Sequence, residues 1–272
     1  MYLTDYHTHS ILSPDGYAPL AEMARAAVDA GLSELCLTDH CDLLTGHGEP
    51  VRTYDWSPAV EQFYEAAPQF SGRLKLKLGM EFGSGHLDPE AAKAILSQPA
   101  LDFVIGSVHN MSVEAGALDF YYLEYNSRAD CNRALDDYFN SLDKLVKTDC
   151  YDVLGHIIYP LRYMHGLGSM DPYYDRIHDL LRAAAERGRG IEVNTYRGNT
   201  VEEWRPVLER WKDVGGELVT VGSDAHRPEH VGLGVREAYG LLRDAGFRYV
   251  AVYEKRKPKL VLISRPSHKK VV

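Results

Sequence analysis

The sequence predicts an α/β fold, a single-domain β/α barrel with seven strands, closed or nearly closed. Three observations predict it. Seven short β-like runs alternate with helix-like runs along 272 residues. No Gly/Ser/Pro-rich stretch divides the chain. Metal-type polar side chains stand at the carboxyl ends of six of the seven runs, and a barrel of this kind gathers those ends on its active face.

The strand candidates are 2–7, 34–38, 74–81, 102–107, 152–155, 190–194 and 217–222. Each is short, rich in Val, Ile, Leu or Tyr, and bounded by turn residues. Between them run apolar stripes of helical period. Leu20, Met23, Ala24, Ala27 and Val28 make the first, with Gly31 as a C-terminal stop. Leu135, Tyr138, Phe139, Leu142, Leu145 and Val146 make the second. Ile177, Leu180, Leu181, Ala184 and Ala185 make the third, opened by Asp171-Pro172 as a cap and first-turn pair and ended before Gly188. Trp204, Val207, Leu208 and Trp211 make the fourth. Strands that alternate with helices imply parallel pairing and right-handed crossovers. Residues 41–57 and 110–130 are polar, irregular and long for loops, and long loops in compact domains are often functional. The barrel domain is expected to span 1–272, ending in a β-hairpin over 247–264 and a frayed tail over 265–272.

Composition narrows the function. With 45% hydrophobic and 25% charged residues the chain reads as an ordinary globular protein. No apolar run approaches the roughly 20 residues that span a bilayer. The start, Met1-Tyr2-Leu3-Thr4-Asp5, lacks the basic and apolar regions of a signal peptide, so a cytoplasmic location is expected and no membrane partner. A net charge of −9 argues against extended nucleic acid as a partner. A small anionic substrate stays compatible with it, because bound cations reverse the local field. Cys36, Cys41, Cys131 and Cys150 form no Cys-x-x-Cys pair and read as reduced structural thiols. Nothing in the sequence decides the oligomeric state.

The histidines carry the chemical signal. His7 and His9 form Asp-Tyr-His-Thr-His directly after the first strand. His40 follows the second strand, Glu81 ends the third, His109 follows the fourth and His156 the fifth. Asp224 and His226 lie in Gly-Ser-Asp-Ala-His after the seventh. In an extended segment residues i and i+2 point to one side, so His7 with His9, and Asp224 with His226, can serve one ion or two adjacent ions. Imidazole and carboxylate without thiolate suit zinc, manganese or iron. Glu81, a lone carboxylate among imidazoles, is the natural bridge between two cations.

These motifs resemble those of the PHP (polymerase and histidinol phosphatase) superfamily: Asp5-Tyr6-His7-Thr8-His9-Ser10, Thr38-Asp39-His40, Gly79-Met80-Glu81, Ser107-Val108-His109, Gly155-His156 and Gly222-Ser223-Asp224-Ala225-His226. They stand in the family's order from residue 5 to residue 226. The resemblance implies a distorted seven-stranded, TIM-like β/α barrel and two or three divalent ions. It implies a first ion on His7, His9, Glu81 and Asp224, a second on Glu81, His109 and His156, and a third on Asp15, His40 and His226. Asp15 lies in the turn sequence Ser13-Pro14-Asp15-Gly16. The Ser-Pro-Asp-Gly segment and the long inserts after His40 and His109 are similar to the histidinol-phosphate phosphatase branch.

The expected activity is therefore hydrolysis of a small phosphate monoester, L-histidinol phosphate first, by a hydroxide bridging two ions. That places the chain in histidine biosynthesis. Glu81, Asp224 and His226 serve the reaction as well as the metals. Arg162 and Arg197 follow the fifth and sixth strands and offer guanidinium forks to the phosphate. His230 is the candidate proton donor to the leaving oxygen. Asp39 is expected to orient a ligand imidazole. Asn110 and Asn194 are possible substrate contacts, Tyr121-Tyr122 a lid or simple packing, and His47 and His86 loop residues near the site. Three alternatives remain open: a PHP phosphoesterase acting on nucleotides or phosphotyrosine, a non-catalytic metal-binding module, and an amidohydrolase-like barrel. The last typically carries a lysine after its fourth strand, where this chain has Ser107-Val108-His109.

Overall fold

The computed structural model describes residues 1–97 and 101–263. Its centre is a parallel sheet bent into a nearly closed barrel. In sheet order the strands are β1 (Thr4–Thr8), β2 (Glu34–Leu37), β4 (Lys75–Gly83), β5 (Phe103–Ser107), β6 (Val153–Leu154), β7 (Gly190–Asn194) and β8 (Val219–Gly222). A short β3 (His40–Asp42) pairs with the upper half of β4, His40 opposite Glu81. β3 overlaps the start of the predicted 41–57 loop. Three residues are too few for a period-2 pattern to register.

Helices cover the outside. α1 (Leu20–Asp29), α4 (Arg128–Leu145), α5 (Tyr174–Glu186) and α6 (Arg205–Asp213) follow the four predicted stripes. α2 (Ser57–Ala66), α3 (Pro89–Leu96) and α7 (Val235–Asp244) were not among those expectations. α3 opens on Asp88, whose carboxylate accepts from the amides of Glu90 and Ala91. Asp171 makes no such bond; it starts a 3₁₀ turn, Asp171–Tyr173, that runs into α5. The outward strand residues, among them Leu78, Met80, Val104, Ile191 and Val193, are buried in one core with the helices.

The lumen holds a second, smaller cluster of Tyr6, Cys36, Phe103, Ile105 and Val153. It is sealed from below by the C-terminal hairpin, β9 (Tyr249–Glu254) and β10 (Lys257–Leu262). The expected hairpin range ends at 264; that residue and the tail 265–272 lie outside the described residues. Tyr253 packs on Phe103 at 4.8 Å, and its amide donates to the Tyr6 hydroxyl at 2.9 Å. The turn residues Lys255 and Arg256 both have positive φ, the two-residue geometry that matches strand twist. Their amides donate to Asp102, and the Arg256 guanidinium lies 3.0 Å from buried Asp152. All four cysteines are buried and free. No helix among the described residues is long and apolar enough to cross a membrane.

The barrel closes at its mouth rather than along its wall. The His9 amide donates to the Ala225 carbonyl at 2.8 Å and the Asp224 amide to the His7 carbonyl at 2.9 Å. Lower down, the Asp5 carboxylate takes the place of a strand partner. It accepts from Ser223 N and Oγ at 2.9 and 2.5 Å and from Gly232 N at 2.9 Å. β1 carries an extra residue against β2 between Asp5 and Thr8. A regular strand sends neighbours to opposite faces, and a bulge breaks that rule. Tyr6 and His7 therefore both reach the lumen, Tyr6 into the apolar floor and His7 into the polar mouth.

Removing the Arg256 guanidinium strands the Asp152 carboxylate, which among the described residues keeps only the Val104 amide at 2.9 Å and Arg189 at 3.8 Å. Arg256→Ala is expected to cost about 2 kcal/mol of unfolding free energy, below the cost for a wholly buried pair because Arg256 is partly exposed. Urea titration of chelator-treated protein measures it; an unmoved midpoint would show that this pair does not latch the hairpin.

Candidate metal centre

The strand ends line a basin of about 1040 Å³ at the barrel mouth. Its floor is Glu81, which β4 carries into the lumen with a fully buried carboxylate. Glu81 Oε1 lies 2.7 Å from His156 Nε2 and 3.0 Å from His109 Nε2, and accepts from Ser107 Oγ at 2.7 Å. Oε2 lies 3.1 Å from His7 Nε2 and from His40 Nδ1, and 3.5 Å from His9 Nε2. Asp224 faces it across the basin, with Oδ1 at 3.5 Å from His9 Nε2 and 3.6 Å from His7 Nε2. Asp15, exposed on its turn, reaches His226 Nε2 at 3.0 Å and His40 Nε2 at 3.7 Å. The His9 ring stacks between His40 and His226, with centroids 4.4 and 4.1 Å away.

The donor atoms fit divalent ions. A tetrahedral ion with bonds of about 2.0–2.1 Å spaces its ligand atoms about 3.4 Å apart. The separations among His7, His9, Glu81 and Asp224 bracket that value. Four triplets hold donor atoms mutually within 4.8 Å: His7–His9–Asp224, His7–Glu81–His156, His9–His40–His226 and His40–Asp42–His109. Among the described residues, His7 Nε2, His9 Nε2, His40 Nδ1, Glu81 Oε2 and His226 Nε2 are buried without a well-aligned hydrogen-bond partner. Each such atom costs about 1–3 kcal/mol when left alone. Five of them in one basin are what shared cations satisfy. The donor set is nitrogen and oxygen only, which suits zinc, manganese or iron.

The local field agrees. Burial pushes the Glu81 carboxyl upward, but His7, His109 and His40 outweigh it and hold it well below the usual carboxylate range. Burial likewise raises Asp224, and His7 and Arg162 overcome it. Burial and the neighbouring imidazoles of His226 and His40 hold His9 well below its ordinary value, so it stays neutral and free to ligate.

Two carboxylates absent from the sequence-based set complete the site. Glu192, on β7, places Oε1 2.6 Å from His7 Nδ1 and accepts the His156 amide on Oε2 at 3.0 Å. Asp42, on β3, holds His109 Nδ1 at 2.8 Å and His40 Nδ1 at 3.3 Å. Burial raises the Asp42 carboxyl, but His109 and His40 bring it down to about 2. Both had a signal. Glu192 is the one charged residue in the buried run Gly-Ile-Glu-Val-Asn, and Asp42 repeats the i, i+2 spacing from His40.

The other predicted residues divide. Arg162 spends one nitrogen on Asp224 Oδ2 and another on Asn194 Oδ1, each at 2.7 Å, between the rings of Tyr159 and Tyr196. Arg197 follows β7 in a left-handed backbone conformation and lines the basin with no ion pair among the described residues. His230 lines it too, and burial with the nearby Arg197 pushes its imidazole below the ordinary value. Asp39 does not touch a ligand ring. It accepts from Ser10 N, Ser10 Oγ and Ser13 Oγ, and Ser13 Oγ in turn stands 3.1 Å from His9 Nδ1. Asp39 therefore reaches a ligand ring through Ser13, whose Oγ also accepts from the His40 amide at 3.1 Å. Asn110 turns its amide to the Thr45 and Ala117 carbonyls and so braces two loops. His47 stacks on Tyr122 at 4.8 Å, and Tyr121 and Tyr122 form an exposed rim. His86 lies outside the basin lining.

A family model described as the PHP domain matches residues 5–196. A probable histidinol-phosphatase of Deinococcus radiodurans is 30% identical, over 91% of this chain and 95% of that one. The histidinol-phosphatase of Lactococcus lactis subsp. lactis is 26% identical, over 92% and 93%. The fold matches the crystal structure of histidinol phosphate phosphatase from the same organism, complexed with zinc, L-histidinol and phosphate. The TM-score is 0.81 at 25% identity, covering 94% of this chain and 98% of that one.

Glu192→Gln keeps the size of the group behind His7 and removes its charge. Zinc affinity is expected to fall roughly ten- to a hundredfold, read by competition with a chromophoric chelator. Equal affinities would show that Glu192 does not support the metal-binding ring.

Proposed function

The chain belongs to the PHP domain family, and on that premise we propose that it is a metal-dependent phosphatase that cleaves L-histidinol phosphate to L-histidinol and phosphate. The carrying observation is the buried convergence of His7, His9, Glu81, His156 and Asp224 at the mouth of the barrel. Similarity over nearly whole chains to histidinol-phosphatases supports the choice of substrate.

His7, His9, Glu81 and Asp224 would hold a first ion, Glu81, His109 and His156 a second, and Asp15, His40 and His226 a third. Zinc, manganese and iron all suit these donors. Bound divalent ions supply positive charge opposite the phosphate oxygens and make coordinated water more acidic. The chain's own groups do the rest. Glu192 and Asp42 hold His7 and His109 with one ring nitrogen turned into the basin. Arg162 pins Asp224 and leaves further N–H groups beside Tyr159 and Tyr196. Arg197, free of any carboxylate among the described residues, is the better placed fork for phosphate oxygens. His230, in the basin lining with Arg197, is the proposed proton donor to the departing alkoxide oxygen; phosphate bound to Arg197 would offset the charge that disfavours its protonated form.

Phosphate release from zinc- or manganese-loaded protein tests the proposal on L-histidinol phosphate, a nucleoside 3′,5′-bisphosphate, a phosphotyrosine peptide and 4-nitrophenyl phosphate. A kcat/KM for L-histidinol phosphate roughly a hundredfold or more above the others is expected, on the scale of a few well-made polar contacts. Similar weak rates on all four would leave a metallophosphatase without this substrate. His230→Ala should lower kcat about a hundredfold on L-histidinol phosphate, whose alkoxide needs a proton. It should change 4-nitrophenyl phosphate little, because nitrophenolate leaves unprotonated. Equal losses on both would remove His230 as proton donor.

A further inference from the structure

The basin is polarised. Arg162, Arg197 and Arg227 enter it from the segments after β6, β7 and β8. Asp42 at the end of β3, Asp55 in the loop beyond it and Asp119 after β5 line it as well. Most lining carboxylates are already engaged. Glu81, Asp15, Asp42 and Asp224 contact histidines or Arg162. Asp39 is saturated by the Ser10 and Ser13 hydroxyls. Asp55 is spent at the exposed rim on the Ser57 amide.

Asp119 differs. It is half-buried, lines the basin and forms no ion pair among the described residues. Its protein hydrogen bonds fall on Oδ1, from the Tyr121 amide at 2.8 Å and the Tyr159 hydroxyl at 3.3 Å, leaving Oδ2 without a partner among the described residues. Aromatic rings surround it. Tyr121 packs on Tyr122 and Tyr163 at 5.0 and 5.4 Å, and Tyr163 packs on Tyr159 at 5.4 Å. Rings beside a carboxylate present a negative surface suited to an organic cation. Tyr159 also links this corner to the metal-binding rings, with its centroid 4.7 Å from His156 and 5.3 Å from His109. The corner is thus one tyrosine ring away from the place where a phosphate would sit.

We infer that Asp119, with Tyr121, Tyr159 and Tyr163, is a specificity site for an ammonium carried close to the phosphate ester oxygen of the substrate. The inference rests on the proposed phosphatase reading and sharpens it. The enzyme selects phosphate esters of amino alcohols, with the phosphate on the arginine side and the amine on the Asp119 side. Burial pushes the Asp119 carboxyl above the ordinary aspartate range, the cost that an arriving cation offsets.

The test compares zinc-loaded wild type and Asp119→Asn, which keeps the Oδ1 acceptor and removes the charge. Three substrates are used: L-histidinol phosphate, phosphoethanolamine and 4-nitrophenyl phosphate. Asp119→Asn should raise KM for the two cationic esters roughly ten- to a hundredfold and leave 4-nitrophenyl phosphate within about twofold. A uniform loss, or none, on all three overturns the inference while the phosphatase reading stands. Selective loss on phosphoethanolamine by an enzyme that ignores L-histidinol phosphate supports Asp119 and refutes histidinol phosphate as substrate. A measurement on wild type alone guards against a misfolded variant. L-Histidinol should inhibit 4-nitrophenyl phosphate turnover at least about tenfold more strongly than N-acetyl-L-histidinol, which lacks the cation; equal inhibition overturns the inference.

Discussion

One buried carboxylate organises this molecule. Glu81 has no solvent, yet five imidazoles come within 3.5 Å of its two oxygens. An isolated charge in such a place would be prohibitive, and a carboxylate with too few partners would simply take up a proton. The surrounding rings hold it ionised, and cations shared with those rings complete the compensation. Every strand end around the barrel contributes to that balance, so fold and site are bound by the same electrostatic requirement.

Local departures from regular structure serve this centre. The extra residue in β1 turns His7 inward beside Tyr6. Gly222 lets β8 pass the site: a Cβ there would sit 2.3 Å from the His7 Cβ and 2.5 Å from Glu192 Oε1. Asp224 adopts a left-handed backbone conformation at φ 59° two residues after the end of β8, unusual for a non-glycine residue. Its amide is held by the His7 carbonyl and its carboxylate by Arg162. Strain at that residue is thus offset by the contacts that aim its oxygens at His7 and His9. The apolar floor below is inert by contrast. Tyr6, Phe103 and Tyr253 fill the lumen, and the hairpin closes it, so the polar mouth stands on rigid packing.

Much of this was legible in the residues. Seven strands could be placed because short β-branched runs recur between helical stripes, and 190–194 agrees with β7 at both ends. His7 with His9, and Asp224 with His226, announce themselves by spacing at strand ends. Three helices escaped. α2 and α3 are ten and eight residues long and bury only two residues each, Ala59 with Ala66 and Ala92 with Ile95. Such thin stripes give little periodic signal. β3 escaped because three residues have no period. Asp39 stands next to His40 in sequence, but its carboxylate bonds Ser10 and Ser13, and it reaches the His9 ring through Ser13, a relay that adjacency does not reveal.

The sequence by itself determined which chemistry was possible. Its residue types, their order and their positions at strand ends specify a barrel with a nitrogen–oxygen metal basin, because periodicity and strand-end placement are local properties. Tertiary structure alone decided which groups meet. Glu192 is 185 residues from His7 and Asp42 is 67 from His109, and no local pattern couples positions so far apart. The same holds for Arg162, drawn to Asp224 rather than left open, and for Asp119, whose oxygen without a partner among the described residues and whose tyrosines meet only once the segments after β5 and β6 come together at the mouth. Pairing at such distances is fixed by barrel closure and burial, which belong to the whole chain and to no segment of it.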